Sequence, residues 1–434
     1  MLLKVGGFMN YKIINGKLLV RDKDGYKIKE EDLYIKEGKI EEIGKEPADA
    51  DTYMPVDAKD RLIMPGLVNA HTHVYMTILR NYADDVDFSE WLFNRVSPVE
   101  DRLPVEAAYW TNLLGFAEMF RSGTTSYVDM HMYRCMSGKA ANDAGIRAFI
   151  GRGLVGEDLF EDGLRRYQEA LDEQKEYGND RISIVLSPHA PYSCSEKLYR
   201  QVAEEAEKHG LLKQTHLSEG IAEVESVLEK YKKTPVKWLD DIGFLNERTI
   251  LAHCVQMRDD DIEILRNSRA SVVTNPISNA KLGNGFAPAE DMKNAGINLC
   301  LGTDGTSSNN ALNMFREMGF LSLIHKGIKK DSTAMCASDV IDAATINGAK
   351  ALAMDEKLGV IKAGAKADII FIDLKSPSLF PNNNIVSSLC YSANGSEVTD
   401  VMVDGCFVMK NRELTTIDYD RVCYEVQKIA DKYL

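Results

Sequence analysis

The chain has 434 residues, 44% of them apolar and 27% charged, enough to bury a large core and to form one large α/β domain plus a smaller one. Its net charge of −14, with no Lys/Arg-rich block, argues against nucleic acid or an anionic membrane as a partner. No apolar run approaches the roughly 20 residues that span a bilayer.

The first eight residues, Met1 to Phe8, are too short and too interrupted for a secretory signal, and Met9 offers a second start. Eight cysteines (135, 194, 254, 300, 336, 390, 406, 423) are scattered without a Cys-x-x-Cys pair. Reduced thiols and a cytoplasmic location are expected.

In chain order, residues 11–61 read as short strands: Tyr11–Ile14, Lys17–Val20, Asp32–Ile35 and Lys39–Ile43, with turns at Asn15-Gly16, Asp24-Gly25 and Glu37-Gly38. The far end has the same character, with strands at Ala367–Asp373 and Val398–Val403 and a hairpin through Asp404-Gly405 into Cys406–Met409. Pairing the two ends covers their strand edges, so a composite small β-sandwich is expected from 1–61 and 359–434.

Between them, from 62 to 358, helices alternate with short apolar strands, the pattern of a parallel β/α architecture. One helix runs from Pro104 to Gly123 with an apolar stripe of Ala107, Trp110, Leu114 and Ala117 that serves packing alone. The eight strand candidates are Leu62–Val68, Thr125–Asp129, Ile146–Ile150, Ile182–Leu186, Leu212–Thr215, Thr249–Ala252, Ser271–Thr274 and Ile297–Leu301. Eight such units suggest a (β/α)₈ TIM barrel. The alternative, an open doubly wound sheet binding a dinucleotide, calls for a glycine-rich turn after its first strand. His71-Thr72-His73 stands there instead.

Strand side chains alternate faces, so His71 and His73 point the same way and make half of a metal site. Of eight histidines, six (71, 73, 131, 189, 216 and 253) fall just after an expected strand, on what would be the catalytic face of a barrel. The eighth strand ends in Gly302-Thr303-Asp304-Gly305. Alone, Asp304 reads as a turn or N-cap residue, but here it completes a His/His/His/Asp set suited to one divalent ion. Zn²⁺ fits that set best, with Fe²⁺ as the alternative. Glu219, three residues past His216, reaches the same pocket and could move protons there; alternatively it is a solvated acid in a helix's first turn.

The segments Met64–His73, Thr215–Glu219, Ala252-His253-Cys254 and Leu301–Gly305 resemble the amidohydrolase superfamily, and within it the 5-methylthioadenosine/S-adenosylhomocysteine deaminases. Asn275-Pro276, Lys281–Gly285 and Ser307–Asn310 strengthen the match, which covers almost the whole chain. The resemblance implies a hydrolytic deaminase of adenosine-type nucleosides. Metal ligands would be His71, His73, His216 and Asp304, and Asp304 would also accept the water proton. Glu219 would shuttle protons at the ring nitrogen, and His253 would steady the nucleophile. Substrate contacts would be Glu100, Arg152 and His189, together with Glu219 and Asp304. Binuclear relatives carry a carboxylated lysine at the end of the fourth strand, where this chain has Ser187-Pro188-His189, which favours one ion.

Alternatives are removal of another leaving group from a purine, pterin or triazine ring, and a barrel that has lost catalysis and serves assembly. The second would show as a missing ligand, and none is missing. The expected partner is a small-molecule substrate, in a chain that could form a homo-oligomer.

Overall fold

The computed structural model describes residues 9–132 and 136–434. All eight expected barrel strands form: β1 (Leu67–His73), β2 (Thr124–His131), β3 (Arg147–Leu154), β4 (Ile182–Pro188), β5 (Leu212–Leu217), β6 (Thr249–His253), β7 (Ser271–Thr274) and β8 (Asn298–Leu301). They pair in parallel in chain order, and Asp304 and Gly305, just past β8, pair back onto Thr72 and His73 of β1. The sheet thus curls round as a (β/α)₈ barrel.

Its interior is filled by one residue from each strand: Val68, Val128, Phe149, Val185, Leu212, Ile250, Val273 and Cys300 form one buried cluster. Above this apolar layer the interior turns polar. Gln214 donates to Ser187 Oγ at 3.0 Å and to the Asp129 carbonyl at 2.6 Å. Gly151 makes room for that pair, because a Cβ there would lie 2.1 Å from Ser187 Oγ and 2.4 Å from Gln214 Nε2.

The apolar run expected as one strand, Leu62–Val68, is two. Arg61–Pro65 pairs antiparallel with Ile369–Asp373 in a seven-stranded sheet, and β1 begins only at Leu67. Gly66 is the joint, packed so closely that a Cβ would fall 2.1 Å from Thr125 Oγ1. Both strands are buried throughout their apolar stretch, so hydrophobicity does not separate them.

Five of the other seven barrel strands extend one to four residues past their apolar stretches, taking in His131, Arg152, Ser187, His216 and His253. Helix α1 (Val105–Arg121) follows Pro104 as expected and stops before Gly123, whose φ is +83°.

The seven-stranded sheet also holds Lys17–Asp22, its hairpin partner Gly25–Lys29, Val398–Val403 and Cys406–Lys410. A four-stranded sheet joins Tyr11–Ile14, Leu33–Lys36, Lys39–Ile43 and Met54–Asp57. The two sheets share one core in which Ile13, Ile35 and Ile40 meet Leu18, Ile63 and Phe371. Arg147, at the start of β3, ties barrel to sheet by buried bonds to both oxygens of Asp368, at 2.8 and 3.0 Å. Among the described residues seven cysteines are free, and no helix is long and apolar enough to cross a membrane.

Candidate active site

The strand ends converge on one point. From β1, His71 Nε2 lies 3.7 Å and His73 Nε2 3.3 Å from Asp304 Oδ1. From β5, His216 Nε2 is 3.3 Å from His73 Nε2. The ligand atoms of His71, His73 and Asp304 all lie within 4.8 Å of one another, as do those of His71, His216 and His253. His71 Nε2 and His253 Nε2 are buried with no hydrogen-bond partner. Buried imidazole nitrogens left without partners, turned toward a carboxylate, fit a divalent cation.

The surrounding bonds fix which ring nitrogen faces inward. The Met130 carbonyl takes His73 Nδ1 at 2.5 Å and the His189 carbonyl takes His216 Nδ1 at 2.8 Å. Each Nδ1 donates outward and leaves Nε2 with its lone pair for a metal. Burial, reinforced by neighbouring imidazoles, holds His71 and His216 neutral, the ligating form. Burial pushes the Asp304 carboxyl up, but His73, His253 and His71 outweigh it and hold the group well below the usual carboxylate range. Its second oxygen, Oδ2, accepts from Ser278 at 2.6 Å and Ser308 at 2.9 Å. Asp304 and His253 are themselves left-handed, with φ of 59° and 76°. Such backbone costs on the order of 1–3 kcal/mol per residue and concentrates at functional sites.

Glu219 stands beside this cluster, its Oε2 3.7 Å from His253 Nε2 and its Oε1 accepting from Asn284 Nδ2 at 3.1 Å. Burial raises its carboxyl above the ordinary glutamate value, moving it toward the range where it exchanges protons near neutral pH. His253 Nδ1 meets Asn279 Oδ1 at 2.8 Å.

A cavity of about 250 Å³ opens over His73, His216 and Glu219, with Glu100, His189, Trp91 and Arg166 in its walls. Glu100 is buried, its carboxyl raised by burial, and receives the Tyr75 hydroxyl. His189 hydrogen-bonds Ser193 Oγ through Nδ1 at 2.8 Å, and burial brings its pKa down to about 3. A second, more apolar chamber of about 280 Å³ adjoins at Glu219 and is walled by Phe88, Phe93, Tyr192 and Ile221. Trp91 Nε1 donates to Ser307 Oγ at 2.9 Å, joining the helical segment Glu90–Val96 to the loop after Asp304.

Arg152 and His131 are not brought to this cavity. The Arg152 guanidinium is bound to Glu169 at 2.9 Å and to the His131 carbonyl at 3.2 Å. With Glu169 and Glu173 these two residues line a separate cleft of about 580 Å³, where His131 Nε2 lies 3.8 Å from Glu173. Arg166, fourteen residues beyond Arg152 on helix α2 (Leu164–Tyr177), lines the site cavity instead, donating to the carbonyls of Met132 at 2.6 Å and Gly153 at 2.9 Å. No local motif in the sequence marks Arg166; only the register of α2 against β3 brings it there.

Residues 62–408 match the amidohydrolase family model. The chain belongs to the amidohydrolase family. It is 41% identical over 429 residues to a 5-methylthioadenosine/S-adenosylhomocysteine deaminase of Caldanaerobacter subterraneus, covering 98% of this chain and 99% of that one. It is 41% identical over 424 residues to a 5′-deoxyadenosine deaminase of Methanosarcina mazei, with 97% of each chain covered. Among solved structures, an adenosine deaminase from Xanthomonas campestris with bound zinc superposes with a TM-score of 0.92 at 30% identity over 98% of both chains.

Proposed function

We propose that this amidohydrolase deaminates adenosine-type nucleosides hydrolytically, among them 5′-methylthioadenosine and S-adenosylhomocysteine, giving the inosine analogue and ammonia. The observation that carries the reading is one cavity lined by His73, His216, Glu219 and Glu100, with His71 and Asp304 clustered on the two histidines. His71, His73, His216 and Asp304 would hold one divalent ion, Zn²⁺ by the donor set. When bound, the ion supplies Lewis acidity that brings the pKa of a water toward neutrality.

The residues divide the remaining work. Asp304 takes the proton released by the attacking water as its oxygen adds to C6 of the adenine ring. Glu219 delivers a proton to N1 and C6 becomes tetrahedral. Asp304 passes the proton it took from the water to the exocyclic nitrogen, which departs as ammonia, while the C6 hydroxyl returns a proton to Glu219 as the carbonyl forms. His253, fixed through Nδ1 by Asn279, orients the water from the other side of Glu219. Glu100 accepts hydrogen bonds from the ribose hydroxyls, with His189 beside it as a further nucleoside contact. The wall from Trp91 to Ser307 excludes bulk water.

We infer in the same way that the two sheets from the chain ends form one composite β-sandwich domain beside the barrel, at 1–61 and 359–434 in the sequence together with the strand Arg61–Pro65. Their shared apolar core supports this.

The test is kcat/KM for 5′-methylthioadenosine, S-adenosylhomocysteine, adenosine, adenine and guanine on one enzyme preparation. The nucleosides should far exceed the free bases, because a site built around hydroxyls leaves its polar groups unpaired without them. A free base as the best substrate would overturn the nucleoside reading.

A further inference from the structure

The turn that carries Glu219 is held from behind by a second buried carboxylate. Strand β5 ends at Leu217, Ser218 takes a left-handed φ of 51°, and helix α3 (Ile221–Tyr231) follows. A non-glycine residue persists in that conformation only where its surroundings over-determine it. Glu223, in the first turn of α3 and 6% exposed, supplies the constraint. Its Oε1 accepts the Ser218 N–H at 2.8 Å and its Oε2 accepts the Glu219 N–H at 3.0 Å.

The pattern departs from ordinary helix capping. A glutamate at the third helical position normally reaches back to the N–H of the N-cap residue, here Gly220. Glu223 bypasses Gly220 and gives one oxygen to each of the two residues before it. The same turn is gripped from the opposite side, where the Ser218 carbonyl accepts from Val255 N at 3.0 Å and Gln256 N at 2.8 Å, just past His253. The peptide unit between Ser218 and Glu219 is therefore pinned at its carbonyl by the β6 loop and at its N–H by Glu223. Glu219 leaves that unit toward Asn284 and His253.

We propose that Glu223 is a positioning residue for Glu219, clamping both amides of the turn so that the Glu219 carboxyl is aimed at the substrate ring nitrogen. The inference rests on the proton-shuttling role of Glu219 proposed above. A displacement of about 1 Å at such a group is enough to lower turnover on the order of 10²-fold.

The experiment is a double-mutant cycle on the metal-loaded full chain, with kcat, KM and metal content measured for Glu223→Ala, Glu219→Gln and the pair. Glu223→Ala should keep its metal and lower kcat roughly 10–100-fold, with KM changed by less than about twofold. In the Glu219→Gln background the same substitution should lower kcat by no more than about twofold, since the residue acts through Glu219. Glu223→Gln keeps one acceptor, should fall between wild type and alanine, and serves the same cycle if the alanine variant fails to fold. Equal losses in both backgrounds, or an unchanged kcat in the single variant, would overturn the proposal. Normal turnover of Glu219→Gln by itself would instead overturn the role of Glu219.

Discussion

Replacing Glu219 by glutamine separates proton transfer from every other property of the site. The carboxyl is buried, accepts from Asn284 Nδ2 at 3.1 Å and stands 3.7 Å from His253 Nε2. A glutamine has the same length, and its amide oxygen can still accept from Asn284. Its NH₂ then faces His253 Nε2, which is buried and has no other partner. Shape and hydrogen bonding survive while the exchangeable acid proton is lost. The four proposed ligands do not include Glu219, so the ion should remain. A positioned proton-transfer group contributes about 10²–10⁴-fold to rate, equivalent to about 2.7–5.4 kcal/mol of barrier. Turnover should fall by that order, read as ammonia released from 5′-methylthioadenosine under saturating substrate, with bound metal measured on the same sample. Turnover within about twofold of wild type would remove Glu219 from the chemistry. Loss of the metal together with the rate would show that Glu219 maintains the site rather than moving protons through it.

Elemental analysis of the purified protein should find one divalent ion per chain, and alanine at His71, His73, His216 or Asp304 should remove most of it along with activity; two ions per active chain, or normal turnover in those variants, would contradict the assignment. Glu100→Ala should erode the preference for nucleosides over free adenine more than it slows the chemical step, visible as a larger change in KM than in kcat; an unchanged ratio of kcat/KM between adenosine and adenine would exclude Glu100 as the hydroxyl contact. Glu317, buried on helix α4 (Met314–Lys329), has its carboxyl pushed up to about 8 by burial. Because its folded value lies above the unfolded one of about 4.3, its stabilising contribution is full at low pH and is lost as pH rises through about 8. Wild type should therefore lose Tm relative to Glu317→Gln between about pH 5 and about pH 9, and a difference that stayed flat across that range would refute the linkage.

What the sequence displays well is whatever local spacing encodes. Two histidines at period two, a histidine followed by Glu219, and Asp304 past a short apolar run all sit at strand ends because the apolar runs end there. That spacing alone is enough to place the proposed metal cluster. The same logic misplaces the start of the barrel. Leu62 to Val68 is a single apolar run by composition, and only the contact of Gly66 with Thr125 shows where one sheet hands over to the next. The partnership of Glu223 with the Ser218–Glu219 turn is equally invisible in the sequence. An acid in the first turn of a helix is commonplace, and its use depends on a left-handed residue that no propensity announces.

The choice between Arg152 and Arg166 shows why the cavity wall lies further from the sequence than the proposed metal cluster does. Arg152 sits at the end of β3, where a strand-end rule places it among the site residues. The rule omits the helix that follows. Glu169 on α2 lies one turn from Arg165 and binds both Arg165 and Arg152, at 3.0 and 2.9 Å, so the strand-end arginine is neutralised outside the cavity. Arg166, next along the helix, turns the other way and makes no ion pair among the described residues. Its donors go to two backbone carbonyls, and burial together with the nearby Arg152 and Arg165 lowers its pKa to about 10. With no ion pair of its own, Arg166 keeps its charge in the cavity wall, where it acts on Glu100, whereas Arg152 is paired with Glu169. Strand-end identity therefore fixes the proposed ligands, which lie on the barrel itself. Charge balance between strand and following helix fixes which arginine lines the cavity, and that balance exists only once α2 has docked.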